Sequence, residues 1–166
     1  VNAYTLSLAA LLLPIGAIGD RWGRRPILLA GLVLFVAASA TAAMSTSAEM
    51  MIVARVAAGI AAAMIMPVTL SVITSTFPGE QRARAVGIWS GVAGAGGILG
   101  LFFSSFVVDY MTWPWLFTLP IALALVAFVM TWRSVAAGRD IEEGTFDIGG
   151  SILSAFAVGG IVLGIH

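Results

Sequence analysis

Six apolar runs, at about 3–19, 26–44, 51–77, 86–108, 115–132 and 148–165, are separated by short polar breaks. This alternation constrains the chain more than any other feature. A helix rises about 1.5 Å per residue, so roughly 20 residues cross a hydrocarbon core of about 30 Å. All six runs are near that length. Inside lipid the backbone has no water to bond, so each run must satisfy its own donors and acceptors as a helix. The alternating pattern of a barrel strand is absent. Composition agrees: 60% of the 166 residues are hydrophobic and only 10% are charged. A water-soluble chain of this size would need a larger polar skin. The fold class expected is therefore all-α, a polytopic transmembrane helical bundle, with the lipid bilayer as its first partner.

Composition also excludes functions. The formal net charge is zero and no basic face is present, so nucleic acid is not an expected partner. There is no cysteine, hence no disulfide or thiolate metal site. His166 is the one histidine, and no metal cluster can be built around it. No phosphate-binding loop, paired-histidine zinc helix or nucleophile elbow occurs. Glu142 and Glu143 are adjacent in a break and do not form a spaced catalytic pair. No enzyme activity, cofactor or metal is expected, and a monomer is.

All eight basic residues are arginine. Arg21, Arg24 and Arg25 lie in the first break, Arg82 and Arg84 in the third, Arg133 and Arg139 in the fifth. The breaks 45–50 and 109–114 hold none. Positive loops mark the cytoplasmic side, so 20–25, 78–85 and 133–147 are expected in the cytoplasm of a multi-pass plasma-membrane protein, with the first and last residues outside. Tyr110, Trp113 and Trp115 would mark the outer interface, and Trp22 and Trp132 the inner one. The sequence starts and stops within apolar runs and is expected to be a segment of a longer chain. Pro67 is expected to kink the third run.

Three constellations carry candidate chemistry. In Gly16–Pro26, GAIGDRWGRRP, Gly19 and Gly23 allow a tight turn, Asp20 stands among three arginines, and Pro26 suits a first helical turn. A plain arginine-rich turn would also fit this placement. Arg55 lies within an apolar run, at a cost of about 2.5–3.5 kcal/mol on insertion scales. Such a charge either faces a cavity or snorkels to the nearer interface, and both readings stay open. In the fourth run, Gly87 and Gly91 are four apart, as are Gly96 and Gly100, a spacing that lets helices approach closely.

These segments resemble the Major Facilitator Superfamily. Its loop between helices two and three reads G-x-L-x-D-R-x-G-R-R/K. Gly16, Asp20, Arg21, Gly23, Arg24 and Arg25 stand in register with it, and Ile18 replaces the leucine. The resemblance implies a cytoplasmic latch that stabilises one transport state. The family's helix-four pattern R-x-x-Q-G is met by Arg55 and Gly59, with Ala58 in place of glutamine. It implies that Arg55 takes part in proton coupling, opposite a carboxylate expected on family helix one. The antiporter motif G-x8-G-x3-G-P-x2-G-G is met by Gly87, Gly96 and Gly100, but Leu101 replaces proline and Ser104 and Ser105 replace the paired glycines.

Smaller similarities point to the fourteen-helix drug:proton antiporter branch. They are residues 2–13, the Trp113-x-Trp115-x-Phe117 stretch with Pro114 in place of arginine, and Phe146–Gly149. The resemblance implies a partial facilitator fold, about family helices two to seven. Residues 1–132 would be the N-terminal bundle lacking its first helix, 133–147 a cytoplasmic linker, and 148–166 the start of the next membrane helix. It implies secondary active transport, proton-coupled efflux of small or amphipathic compounds by alternating access, with protons and a small-molecule substrate as partners. A symporter or uniporter of a small metabolite, or a non-transporting membrane sensor or scaffold of the same fold, is the alternative.

Overall fold

The computed structural model describes residues 4–5, 8–12 and 23–134, and residues 4–5 and 8–12 are helical. From Gly23 onward the chain forms α1 (Arg24–Ala43), α2 (Ala48–Thr76), α3 (Gly79–Tyr110), a 3-10 turn (Trp113–Phe117) and α4 (Thr118–Ser134). By length and composition, four spans among the described residues can cross a membrane, the turn and α4 together making the fourth. Four of the six expected spans are thus present as helices. The first is described only at residues 4–5 and 8–12, and the sixth lies outside the described residues, as does the linker beyond Ser134.

Local chemistry sets the helix ends. Gly23 precedes α1 at φ +95°, a left-handed conformation that a side chain would strain. Pro26 falls in the first turn, where its missing N–H removes no helical bond. Ser47 caps α2, its hydroxyl accepting from the Met50 N–H at 3.2 Å, and Glu49 sits at the positive end of the helix. The helix remains continuous through Pro67. Along the spans, hydroxyls donate back to their own helix: Thr41 to the Ala37 carbonyl at 2.9 Å, Thr69 to Met66 at 2.8 Å and Thr76 to Val72 at 2.7 Å. Each of these three donors is satisfied within its own helix.

Two expected loops are shorter than their sequence boundaries. The segment 78–85 is helical from Gly79, so only Phe77 and Pro78 separate α2 from α3. Pro78 supplies an extended N-cap, and Glu80 in the first turn favours the helix dipole, which carries α3 out past the apolar stretch. At 32 residues, α3 is roughly 48 Å long, more than a hydrocarbon core needs. Likewise Arg24 and Arg25, expected in a loop, already belong to the first turn of α1.

The core is built from small residues. Ala54, Ala58, Ala61, Ala62 and Ala63 of α2 are buried, with Ala38 and Ala42 of α1. In lipid no hydrophobic force drives helices together, so close backbone approach and dispersion must do so. One cluster joins Ile27, Leu28 and Leu32 of α1 to Val68 of α2 and Ala124 of α4. A second joins Ala42, Ala54 and Phe117 towards the other end. The tightest crossing is at Gly31, where an added Cβ would stand 3.0 Å from the Met64 Cβ and 3.3 Å from the Ala61 carbonyl oxygen. By contrast, a Cβ at Gly87, Gly91, Gly96 or Gly100 meets nothing within 4 Å. The close approach expected along α3 is thus not made with the described residues, and α1 makes it instead.

Gly31→Ala should lower the thermal unfolding midpoint of the detergent-solubilised protein. Neither the Met64 Cβ nor the Ala61 carbonyl can move without shifting a helix, and such overpacking typically costs about 1–3 kcal/mol. An unchanged midpoint would show that the α1–α2 crossing is not tight at Gly31.

Candidate functional site

Helix direction sorts the arginines. α1 begins where α2 ends, α3 begins there too, and α4 returns to it. Arg24, Arg25, Arg82, Arg84 and Arg133 therefore gather at one end of the described bundle. Arg82 donates from Nε to the Phe77 carbonyl at 3.3 Å, closing the α2–α3 turn. Arg55 is the exception, seven residues into α2 from the opposite end, or about 10 Å along its axis.

Arg55 is half-buried and lines a cavity of 240 Å³. Its guanidinium carbon lies 5.2 Å from the centroid of the Phe117 ring. Phe117 is buried, and Trp113 meets it edge-on at 6.3 Å with an interplanar angle of 90°. A cation over an aromatic face gains on the order of 1 kcal/mol, more where water is excluded. That offsets part of the penalty for a charge within a span. The 3-10 turn explains how Phe117 arrives there: Pro114 at its start sets φ, and the Trp115 N–H bonds the Thr112 carbonyl at 3.1 Å. Tyr4, Ser39 and Ser104 share the cavity wall with Arg55.

A larger cavity of 680 Å³ adjoins the first at Tyr4, Phe35 and Pro120. Its wall is mostly apolar, and Gly96 and Gly100 contribute to it; Gly87 does not. Gly59 is buried in α2. The structure thus brings Arg55 and Ser104 to one cavity and Gly96 and Gly100 to its neighbour. Ser104 is one of the two serines that stand where the family motif has glycine. Its place in the wall of the Arg55 cavity was not foreseen from the sequence, since a motif departure does not show which way a helix face points.

Of the loop motif, Gly16, Asp20 and Arg21 lie outside the described residues. Gly23 shapes the start of α1, and Arg24 is half-buried beside it. Arg25 crosses to α4, where its Nη2 donates to the Trp132 carbonyl at 2.9 Å and its guanidinium carbon sits 5.4 Å from the Trp132 ring centroid. Trp132 had suggested only an interfacial anchor. Among the described residues, no group of three histidine, aspartate, glutamate or cysteine side chains converges to hold a metal ion.

The sequence that builds these cavities has parallels among known proteins. The chain is 38% identical over 155 residues to the multidrug efflux pump LfrA of Mycolicibacterium smegmatis, which covers 93% of this chain and 31% of that protein. It is 33% identical over 159 residues to the methyl viologen resistance protein SmvA of Salmonella typhimurium, 95% of this chain and 32% of that protein. It is 32% identical over 160 residues to the methylenomycin A resistance protein of Bacillus subtilis, 96% of this chain and 34% of that protein. The chain therefore spans about a third of the length of these relatives. Residues 1–145 match the profile of the Major Facilitator Superfamily. With four membrane-crossing spans and a family match over most of its length, this chain is a multi-pass membrane protein of the Major Facilitator Superfamily.

Proposed function

We propose that the full-length protein is a secondary active transporter that expels small, often amphipathic compounds across the plasma membrane in exchange for protons, by alternating access. The observation that carries this reading is Arg55, a half-buried cation inside a span, facing a hydroxyl-lined cavity that opens beside a larger apolar one. The names of the relatives support the efflux direction: one is a multidrug efflux pump and two are resistance proteins. The arginine-rich end would face the cytoplasm.

The chemistry follows from charge in a low dielectric. A guanidinium stays protonated throughout and cannot itself carry the proton. It favours the ionised form of a carboxylate brought near it and so lowers that acid's pKa. No carboxylate lies mid-span in the described helices, so the proton carrier would come from elsewhere in the full protein. Proton and substrate then compete, each stabilising a different arrangement of the two bundles. The apolar cavity would take the hydrophobic part of the substrate. In this scheme Gly16, Asp20, Arg21, Gly23 and Arg24 form a latch at the cytoplasmic end that breaks when the bundles rock.

Transport of methyl viologen into inverted membrane vesicles under an imposed proton gradient tests the proposal. Uptake should collapse with a protonophore, and Arg55→Ala should lower it at least tenfold at normal expression. Wild-type uptake by Arg55→Ala would remove the coupling role, and uptake insensitive to the protonophore would remove antiport. The latter outcome would favour a uniporter, a reading encouraged by α3 running unbroken through Leu101, where the antiporter motif has proline.

The latch is tested separately. Asp20→Asn should reduce the rate several-fold while membrane insertion, followed by accessibility of cysteines introduced in the loops, stays as in wild type. Unchanged kinetics would take Asp20 out of the mechanism.

A further inference from the structure

Arg24 and Arg25 occupy the first turn of α1, and no acidic residue accompanies them there. That is the wrong end for a cation, because the N-terminus of a helix carries a partial positive charge. The conflict is resolved in the tertiary structure. Arg25 reaches across 107 residues of sequence and donates from Nη2 to the carbonyl of Trp132 at 2.9 Å. That carbonyl is among the last four of α4, which have no partner within their own helix, and they form the negative end of its dipole. The same guanidinium lies over the Trp132 indole at 5.4 Å, and Phe128 stacks on that indole at 6.1 Å and 26°. The guanidinium Nε is buried and has no hydrogen-bond partner among the described residues.

We propose that Arg25 is a positioning residue that caps α4 and braces its end against the start of α1, so that the last turn of α4 moves as one body with the first turn of α1. This divides the motif: Arg25 acts within the bundle, and Asp20 and its neighbours act between bundles. The brace is a local statement about α1 and α4, and its effect on transport rests on the function proposed above.

These 166 residues hold no cysteine, so once any cysteine elsewhere in the full-length protein is replaced by serine, spin labels can be placed in this segment. Labels at Ala30 and Ser134 report the braced end, and labels at Ala37 and Leu125 report the middle of the same helix pair. Arg25→Gln should broaden the first distance distribution by several ångströms and leave the second unchanged. Arg25→Lys keeps a cation that can cap the carbonyl and cover the indole, and should restore a narrow distribution. In vesicles, Arg25→Gln should lower the maximal rate severalfold at unchanged KM, with recovery in Arg25→Lys. Should Arg25→Gln not accumulate, Trp132→Leu, which removes the ring and keeps the carbonyl, should broaden the first pair to a smaller extent. A first distribution that stays narrow in these variants, or one that Arg25→Lys fails to restore, overturns the brace. The distance measurements need no substrate, so an absence of transport in the wild type would defeat the proposed function and leave the brace to be decided on its own.

Discussion

The absence of water in the hydrocarbon core governs everything else in this chain. Each backbone donor must find its acceptor within the protein, and long helices are the local solution. The same rule reaches the side chains. Threonine and serine hydroxyls fold back onto carbonyls three or four residues behind them, as at Thr41, Thr69 and Thr76. It also leaves the helices without a hydrophobic reason to associate. Their packing depends instead on small residues, with Gly31 of α1 close against Ala61 and Met64 of α2.

Within that frame, two arginines face the same difficulty and solve it with the same element. Arg55 lies over Phe117 and Arg25 over Trp132, and these rings stand at the two ends of the segment Trp113–Ser134. One returning span thus supplies the aromatic partner at both ends of the bundle. Each ring is held by a second aromatic, Trp113 for Phe117 and Phe128 for Trp132. The consequences differ. At Arg25 a carbonyl completes the site and the charge is used up in structure. At Arg55 the charge shares a cavity wall with Tyr4, Ser39 and Ser104. Two arginines from separate family motifs thus share an aromatic contact but differ in surroundings, and geometry separates them where spacing does not.

Much of the fold was legible in the linear pattern. The runs at 26–44, 51–77, 86–108 and 115–132 return as helices because length and apolarity alone decide whether a segment can span. The loop boundaries were less legible. The polar residues Glu80, Arg82 and Arg84 suggested a loop at 78–85, yet charged side chains prolong α3 readily once it leaves the lipid. The loop motif, Arg55 and Gly59, and the damaged antiporter motif pointed to the family that the comparisons identify.

The sequence by itself determined that this chain is membrane-embedded, how many apolar spans it offers, and which family it belongs to, because hydropathy, charge sidedness and motif register are properties of the line. Only the tertiary structure decided what the spans do to one another. Gly31 makes the tight crossing where the glycines of α3 do not, because closeness depends on which face a neighbour presents. Phe117 and Trp132 receive the arginines because Trp113–Ser134 returns antiparallel to α1, a pairing no local pattern encodes. Ser104 reaches the Arg55 cavity for the same reason: a residue's role in a bundle is set by rotation about the helix axis, and packing fixes that rotation.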